Sequence, residues 1–175
     1  MSEITIEELS ARGIDERVDE LVALLADAVG GGASVGFVAP LAAGELEAWW
    51  REVALDVEDG MRSVLIATDG DRIVGSVQLA PSGKTNQRHR ADVQKLLVLA
   101  PARGRGIGAA LMRAVEALAA AQGCWLLTLD TREASDADRL YRHSGWTMVG
   151  AIPDYAMDPD RTLASCVFYY KRLAT

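Results

Sequence analysis

A glycine-rich run between two apolar segments is the part of this sequence that most directly indicates chemistry. The run is Arg103-Gly104-Arg105-Gly106-Ile107-Gly108-Ala109, and it follows the apolar segment Asp92–Leu99 and opens an alanine- and leucine-rich segment. The first amides of a helix lack intrahelical partners, and the helix dipole adds partial positive charge there. Glycines let the backbone approach an anion closely, and the two arginines add charge. The run therefore predicts a phosphate-binding turn between a strand and a helix.

Other interpretations of this turn have less support. The run does not contain the G-x-x-x-x-G-K-[ST] pattern of nucleotide-hydrolysing P-loops. A nicotinamide-binding Rossmann unit is an alternative, because Asp130 ends the next predicted strand, where such a unit places an acidic residue. Against it, five predicted elements precede the turn, whereas the first βα unit of a Rossmann domain normally lies near the domain start. The third interpretation is a tight turn without a ligand. It has less support, because two arginines placed among three glycines without an anion are energetically unfavourable.

Hydrophobic periodicity and turn residues predict the elements that position this turn. Their order is β-α-α-β-β-β-α-β-α-β-β, with a hairpin turn at Asp69-Gly70-Asp71 between the second and third strands. This order predicts one α/β domain over residues 1–175 with a mixed sheet. The predicted strands are 4–9, 63–68, 72–79, 92–99, 125–130, 146–152 and 163–170, and the predicted helices are 14–29, 42–55, 106–122 and 136–143.

The composition narrows the function classes. Half of the 175 residues are hydrophobic, which suffices for a full core, and the net charge of -7 makes non-specific nucleic-acid binding improbable. No run approaches 18 apolar residues and the N-terminus has no apolar h-region, so we expect no membrane segment and no signal peptide. Cys124 and Cys166 lie in apolar runs without metal-ligand spacing, so we expect reduced core cysteines, no metal and a cytoplasmic location.

The turn resembles a motif of the GNAT (Gcn5-related) superfamily of acetyl-CoA-dependent N-acetyltransferases. The family's motif is R/Q-x-x-G-x-G/A, which residues 103–108 match, and the preceding Leu96-Leu97-Val98 is similar to the family's L-x-V strand end. The segment 140–146, LYRHSGW, resembles the family's L-Y-x-x-x-G-F. The predicted element order matches the family's order over nearly the whole chain. Two positions depart from the family's pattern, because Ala100 stands where proline is common and Ala134 where asparagine is common.

The resemblance implies a fold and a co-substrate. The fold is a seven-stranded, mostly antiparallel sheet flanked by about four helices, with the fourth and fifth strands splayed apart. The co-substrate is acetyl-CoA, its pyrophosphate held by the turn and its pantetheine arm by the unpaired strand end. Ser135 either replaces the missing asparagine or caps a helix. The residues implied in cofactor binding are Leu96, Leu97, Val98, Arg103, Gly104, Arg105, Gly106, Ile107, Gly108, Ala109 and Ser135.

The resemblance also implies catalytic residues. Tyr141 stands where the family's tyrosine commonly protonates the departing CoA thiolate. Asp92 stands where several members have a carboxylate as general base, and Asp130 ends the adjacent predicted strand. An alkyl ammonium is mostly protonated at pH 7, so a base or a water relay assists its attack on the thioester. Each aspartate has an alternative role, in binding a cationic substrate, as a surface charge or as a cap.

The acceptor is the least determined feature. In the family two loops shape its pocket, which here contain Ser34 and Phe37 in one and Tyr155 in the other. The sequence resembles small-molecule-directed members such as the tabtoxin resistance acetyltransferase. This implies direct transfer to a primary amine of an amino-acid-like metabolite or toxin, by a monomer or homodimer with no nucleic-acid or membrane partner. The alternatives are a non-catalytic CoA-binding sensor, and acetylation of a protein N-terminus or lysine.

Overall fold

The computed structural model describes residues 3–174, which form seven strands and five α-helices. The apolar alternation and the turn residues place most of these elements where the sequence predicts them. The strands are β1 Ile4–Leu9, β2 Ser63–Asp69, β3 Arg72–Pro81, β4 Arg90–Val98, β5 Leu126–Arg132, β6 Thr147–Met157 and β7 Leu163–Arg172. The helices are α1 Ala11–Glu16, α2 Val18–Gly30, α3 Glu45–Glu58, α4 Ile107–Ala121 and α5 Asp136–His143.

All seven strands form one sheet in the order β1-β2-β3-β4-β5-β7-β6. Every neighbouring pair is antiparallel except β4 and β5, which are parallel and are connected through α4. The final hairpin places β7 beside β5, so β6 becomes the edge strand. The predicted fold class, one α/β domain with a mixed and mostly antiparallel sheet, is confirmed.

The parallel pair β4 and β5 separates soon after it begins. The two strands pair only from Arg90 opposite Leu126 to Asp92 opposite Thr128. Beyond that point β4 continues to Val98 along β3, and β5 continues to Arg132 along β7, but the two strands no longer pair with each other. Backbone amides and carbonyls that no strand satisfies need another partner. The predicted splay between the fourth and fifth strands is therefore confirmed, and we call the opening the β4–β5 gap.

The helices cover the two faces of the sheet with two separate apolar cores. On one face α1, α2 and α3 contribute a cluster that includes Leu21, Leu24 and the fully buried Trp50. On the other face α4 and α5 contribute a second cluster, which includes Leu111 and Tyr141. The gap thus opens between two well-packed layers that hold its strands in place.

Two segments differ from the sequence-based prediction. The first predicted helix, 14–29, is two helices, because Arg17 leaves helical conformation with φ -118° and ψ 19°. The connection predicted after residue 152 is partly strand, since β6 continues to Met157 through an irregularity between Ile152 and Ala156. A bulge absorbs residues that interrupt the alternation without ending the strand, which the residue pattern alone does not reveal.

The edge strand β6 exposes several large apolar side chains, namely Met148, Val149, Ile152, Tyr155 and Met157. An exposed apolar edge strand is a common contact surface. The expectation of a monomer or homodimer nevertheless stays a prediction. Within residues 3–174, no helix has the length and apolar character needed to cross a membrane.

Candidate functional site

The glycine-rich turn has the geometry of an anion site. Gly104 and Gly106 have φ values of 75° and 78°, a conformation that favours glycine, and a Cβ at either position would meet no atom within 4 Å. Gly106 is the N-cap of α4, and no side chain caps this helix end. The amides of Ile107, Gly108 and Ala109, in the first turn of α4, therefore point outward without an intrahelical acceptor. This open, amide-lined turn fits a diphosphate group.

The two arginines of the turn contact protein groups. The Arg105 guanidinium lies 2.6 Å from the Asp69 carboxylate. The Arg103 Nε donates to the Val98 carbonyl at 3.0 Å, and its Nη2 lies 3.6 Å from Asp27. The first amides of α4 are thus the groups in this turn that are available to donate hydrogen bonds to an anion. Phosphate binding by Arg103 and Arg105 stays a prediction.

The end of β4 runs beside this turn along the gap. Leu96, Leu97 and Val98 all lie past the last residue that pairs with β5, and Leu97 is buried. Gly108 packs across the gap's end, where a Cβ would lie 3.4 Å from the Leu140 side chain of α5. The structure therefore brings the predicted pantetheine-binding strand end and the predicted diphosphate turn together.

Tyr141 lies on α5 beneath the gap. Its ring is buried between the rings of Trp146 and Tyr169, with both centroids 5.9 Å away. Burial raises the pKa of the Tyr141 phenol well above its usual value, and the nearby Asp130 raises it further. The phenol therefore keeps its proton at neutral pH and can act as a hydrogen-bond donor.

A buried polar network, missed at the sequence level, fixes α5. The Asp138 carboxylate accepts hydrogen bonds from the Tyr169 hydroxyl, the Arg142 guanidinium and the Ala134 amide. Burial acts to raise the pKa of Asp138, but these hydrogen bonds outweigh it and lower the pKa. Ser135 caps α5 by accepting from the Asp138 amide at 3.1 Å. Its second predicted role, in cofactor binding, stays a prediction.

The two predicted carboxylates lie on one side of the sheet at the start of the gap. Asp92 is the last residue of β4 that pairs with β5. Its carboxylate accepts hydrogen bonds from the Arg90 guanidinium at 2.7 Å and from the Thr128 hydroxyl. Asp130 follows Thr128 by two residues on β5, so it faces the same side. Asp130 is an exposed residue whose carboxylate is partly desolvated by the surrounding protein, and this desolvation raises its pKa; Lys95 opposes the shift and Asp92 adds to it. Because Asp92 already has two partners, Asp130 is the freer proton acceptor.

Lys95 is a charged group at the gap that sequence reasoning missed. It lies in a bulge of β4 with φ 51°, and its Nζ is 5.3 Å from the centroid of the Trp49 ring. Burial lowers the pKa of Lys95 and the positive charge of Arg62 lowers it further, whereas Asp130 raises it. A lysine in a predicted strand is normally read as solvent-facing, so no local signal distinguishes this one.

A cavity of about 590 Å³ lies between the α2–α3 loop and the β6–β7 hairpin. The Ala39 amide donates to the Pro159 carbonyl at 2.8 Å, which ties the loop to the hairpin. Arg132, two residues beyond Asp130 on β5, also lies in the cavity wall. The wall also contains residues from the end of α2, from the loop and from the hairpin, namely Ala26, Val29, Gly30, Gly32, Ala39, Leu41, Asp158, Pro159 and Asp160.

The three predicted acceptor-binding residues lie close to these segments but outside the cavity wall. Phe37 is buried edge-on against Trp49, with ring centroids 5.8 Å apart. Tyr155 is half-exposed and packs edge-on against Phe168 at 5.0 Å. Ser34 is partly exposed in the α2–α3 loop. Acceptor binding by Ser34, Phe37 and Tyr155 stays a prediction.

Sequence comparison relates this part of the chain to a known protein family. Residues 60–148, which contain β2 to β5, α4 and α5, match the family described as Acetyltransferase (GNAT) domain. An uncharacterized N-acetyltransferase of Azospirillum brasilense, located in its hisH-hisA intergenic region, is 32% identical over 135 residues. That alignment covers 76% of this chain and 78% of the relative.

Solved structures share the fold over nearly the whole chain. A ribosomal-protein-alanine N-acetyltransferase from Brucella melitensis superposes with a TM-score of 0.80 at 22% identity, covering 97% of this chain and 99% of that one. The protein yncA of Salmonella typhimurium, solved with its cofactor acetyl-CoA, has a TM-score of 0.78 at 16% identity, covering 99% and 96%. At these identities the likeness concerns the fold.

Proposed function

The chain belongs to the GNAT family of acetyltransferases, enzymes that take acetyl-CoA as co-substrate, and from this premise we propose that it acetylates the primary amine of a small molecule. The observation that carries the proposal is the β4–β5 gap. It is open to the anion-binding turn at one end, to Tyr141 beneath and to Asp130 at its side.

The cofactor side of the gap is supplied by α4, α5 and the end of β4. When bound, acetyl-CoA supplies an activated acetyl thioester. The amides that begin α4 hold the diphosphate, and the backbone groups of residues 96–98 on the side that no longer pairs with β5 hydrogen-bond the pantetheine arm. Tyr141, kept protonated by its burial, donates to the departing sulfur. Neither buried cysteine is needed for a covalent step, because the amine attacks the thioester directly.

The acceptor side supplies a base and a pocket. A base works best when its pKa approaches the working pH, and partial desolvation moves the pKa of Asp130 in that direction. Asp130 therefore takes a proton from the incoming ammonium, while Asp92 contributes negative charge from its fixed position. The neighbouring cavity, about 590 Å³, has a size typical of small-molecule sites. A small acceptor amine fits a cavity of this size.

Titration calorimetry and thiol release test the proposal with the variant Tyr141→Phe. Acetyl-CoA should bind the wild-type protein at micromolar concentration and NADH should not. Against a panel of small primary amines, Tyr141→Phe should lower kcat about 100-fold because the sulfur loses its proton donor, with acetyl-CoA affinity unchanged within about twofold. Tyr170→Phe, which removes a hydroxyl on β7 to which no role is assigned, is the matched control.

Three outcomes would count against the proposal. A folded protein without acetyl-CoA affinity contradicts it outright, and NADH binding instead would favour the Rossmann alternative. Acetyl-CoA binding without thiol release from any amine would favour a CoA-binding sensor. Release with peptide N-termini or lysines but not with small amines would move the acceptor to proteins.

A further inference from the structure

The cavity between the α2–α3 loop and the β6–β7 hairpin lies on the side of the sheet that Asp130 faces. Leu127 and Leu129 of β5 pack into the cluster of α4 and α5. Because side chains alternate along a strand, Asp130 and Arg132 face the other side, where the end of α2 contributes to the cavity wall. Arg132 lies in that wall, two residues and therefore about 7 Å along the strand from Asp130. A molecule whose amine lies at Asp130 can thus extend into the cavity.

The cavity wall contains a buried carboxylate, Asp158, whose hydrogen bonding is incomplete. The Arg132 Nε donates to its Oδ2 at 2.6 Å. The other oxygen, Oδ1, is buried and has no hydrogen-bond partner among the residues that the structure describes. Only 6% of Asp158 is exposed, and a carboxylate this buried normally has both oxygens paired. The torsion about the Cβ–Cγ bond of an aspartate is soft, so a donor in the cavity can reach one oxygen while the other stays with Arg132.

The hairpin fixes the backbone that carries this carboxylate. The Asp158 amide donates to the Thr162 carbonyl, and its carbonyl accepts from the Arg161 amide, both at 2.8 Å. The Pro159 carbonyl accepts from the Ala39 amide at 2.8 Å, and the Arg161 Nε donates to the Ala39 carbonyl at 3.3 Å. These bonds connect the hairpin with the α2–α3 loop, so the protein itself sets the position of Asp158 in the wall.

The charged residues of the cavity wall carry an excess of negative charge. Of the described residues that line the cavity, the charged ones are Arg132, Asp158 and Asp160. Two carboxylates therefore accompany one guanidinium, and solvent screens the charge of Asp158 least because it is buried. A cleft with excess negative charge attracts cations and disfavours anions. The unpartnered oxygen and the sign of the charge thus favour the same kind of ligand group, a cationic hydrogen-bond donor.

We propose that the acceptor carries a second cationic group, in the simplest case a second primary amine, at the far end of a hydrocarbon chain. The reacting amine lies at Asp130 and the distal ammonium donates to the Asp158 carboxylate. Between them the chain contacts the apolar part of the wall, to which Ala26, Val29 and Leu41 contribute. An ammonium has three donors and no acceptor, which matches an oxygen that lacks a donor. The inference rests on the proposed acetylation of a small primary amine and specifies that amine as an aliphatic diamine.

Acceptors that differ only at the far end test the inference. The probes are the diamines from propane-1,3-diamine to hexane-1,6-diamine. In the thiol-release assay each is compared with the amino alcohol and the alkylamine in which a hydroxyl or a methyl group replaces the second amine. At least one diamine should exceed its alkylamine in kcat/KM by about tenfold or more, well above the about twofold gain that two equivalent amines give by themselves. The amino alcohol, a neutral donor, should lie between them.

Asp158→Asn removes the charge and keeps the size of the side chain and an oxygen for Arg132. It should erase the diamine preference by raising the KM of the diamine about tenfold, with the alkylamine's kcat/KM and the acetyl-CoA affinity within about twofold of wild type. Asp136→Asn, which removes an exposed carboxylate of α5, is the matched control and should leave the preference unchanged.

A second variant with an effect of opposite sign keeps the test decisive if Asp158→Asn does not fold. Arg132→Gln removes the cation that shares the Asp158 carboxylate, so the preference for the diamine should increase, by about threefold or more. The inference is overturned if diamines and alkylamines react equally in the wild type, or if Arg132→Gln lowers the diamine preference. It is also overturned if Asp158→Asn lowers kcat/KM by the same factor for both, which would leave Asp158 with a structural role.

The failure of this inference differs from that of the proposed function. Acetylation of alkylamines without a diamine preference refutes the second cationic group and leaves the acetyltransferase assignment intact. Lack of acetyl-CoA binding, or lack of transfer to any amine, refutes both.

Discussion

The charged side chains on the two sides of the β4–β5 gap differ in how completely they are compensated by hydrogen-bond or ion-pair partners. On the side of α4 and α5, the buried charge of Asp138 is matched by three hydrogen-bond donors, one of which is the Tyr169 hydroxyl. The Tyr169 ring in turn packs, with that of Trp146, against the ring of Tyr141. On the other side, Lys95 and Asp130 face the opening without an ion pair between them, and protein atoms around each disfavour its charged form.

We therefore expect the side of α4 and α5 to stabilise the fold, and the side of Lys95 and Asp130 to bind a ligand. A matched buried network lowers the free energy of the folded state and fixes α5, which carries Tyr141. Unmatched charges raise that free energy and are kept where a ligand can use them. Substitutions on the two sides should therefore change stability in opposite directions.

The largest expected effect is at the turn of the cofactor side. Gly106→Asp places a carboxylate where the diphosphate belongs and strains a residue with φ 78°, so acetyl-CoA affinity should fall by at least about 100-fold. Gly123→Asp imposes the same strain at the far end of α4, where φ is also 78° and no atom lies within 4 Å of the added Cβ. Titration calorimetry on both folded variants checks the prediction. Equal affinity losses would show that strain, not the anion site, is responsible.

The second prediction concerns the buried network. Asp138→Ala leaves the Tyr169 hydroxyl and the Ala134 amide without their acceptor, so stability should fall by about 2–3 kcal/mol. Asp136→Ala, at an exposed carboxylate on the same helix, should cost less than about 0.5 kcal/mol. Urea unfolding monitored by tryptophan fluorescence measures both.

The network should also respond to pH with a defined sign. Because the pKa of Asp138 is lowered in the folded protein, its contribution is present above the unfolded value of about 3.9 and is lost as pH falls through the folded value. The difference in the free energy of unfolding between wild type and Asp138→Ala should therefore become smaller below about pH 4. A difference that is constant between pH 7 and pH 3 would contradict the assigned cause.

The smallest effect, of opposite sign, is expected at Asp130. Asp130→Asn should lower kcat/KM about tenfold by removing the base, yet raise the melting temperature at neutral pH only slightly, by less than about 1 °C, because Asp130 is exposed and solvent screens its charge. The raised pKa of Asp130 means that its ionisation costs folded-state stability as pH rises from about 3.9 through the folded value. The stabilisation should thus vanish below about pH 3.5, where the Asp130 side chain of the wild type is as neutral as the asparagine of the variant. Calorimetric melts across pH and thiol release measure the two effects, and a destabilised variant at pH 7 would contradict the comparison.

Much of the fold follows from local residue patterns. Apolar alternation located the strands, and the glycines at 104 and 106 marked the start of α4, because left-handed backbone conformations require glycine there. Arg17 broke a helix that its periodicity predicted as continuous, and the bulge in β6 prolonged a strand past its apparent end. Both misses involve non-local contacts that local preferences do not encode, namely the hydrogen bond from Arg17 to the Asp71 carbonyl and the pairing of β6 with β7.

The sequence by itself determined the glycine-rich turn before α4, the tyrosine of α5 and the order of elements, since each depends on residues close together in the chain. Only the tertiary structure decided which charges face the gap. Lys95 and Asp130 are 35 positions apart, and a bulge together with the divergence of two parallel strands brings them across from each other. The matching of Asp138 with Tyr169 is equally non-local, because it requires β7 to lie beside β5. Interactions between distant residues depend on how the elements pack, and residue type and spacing do not encode that geometry directly.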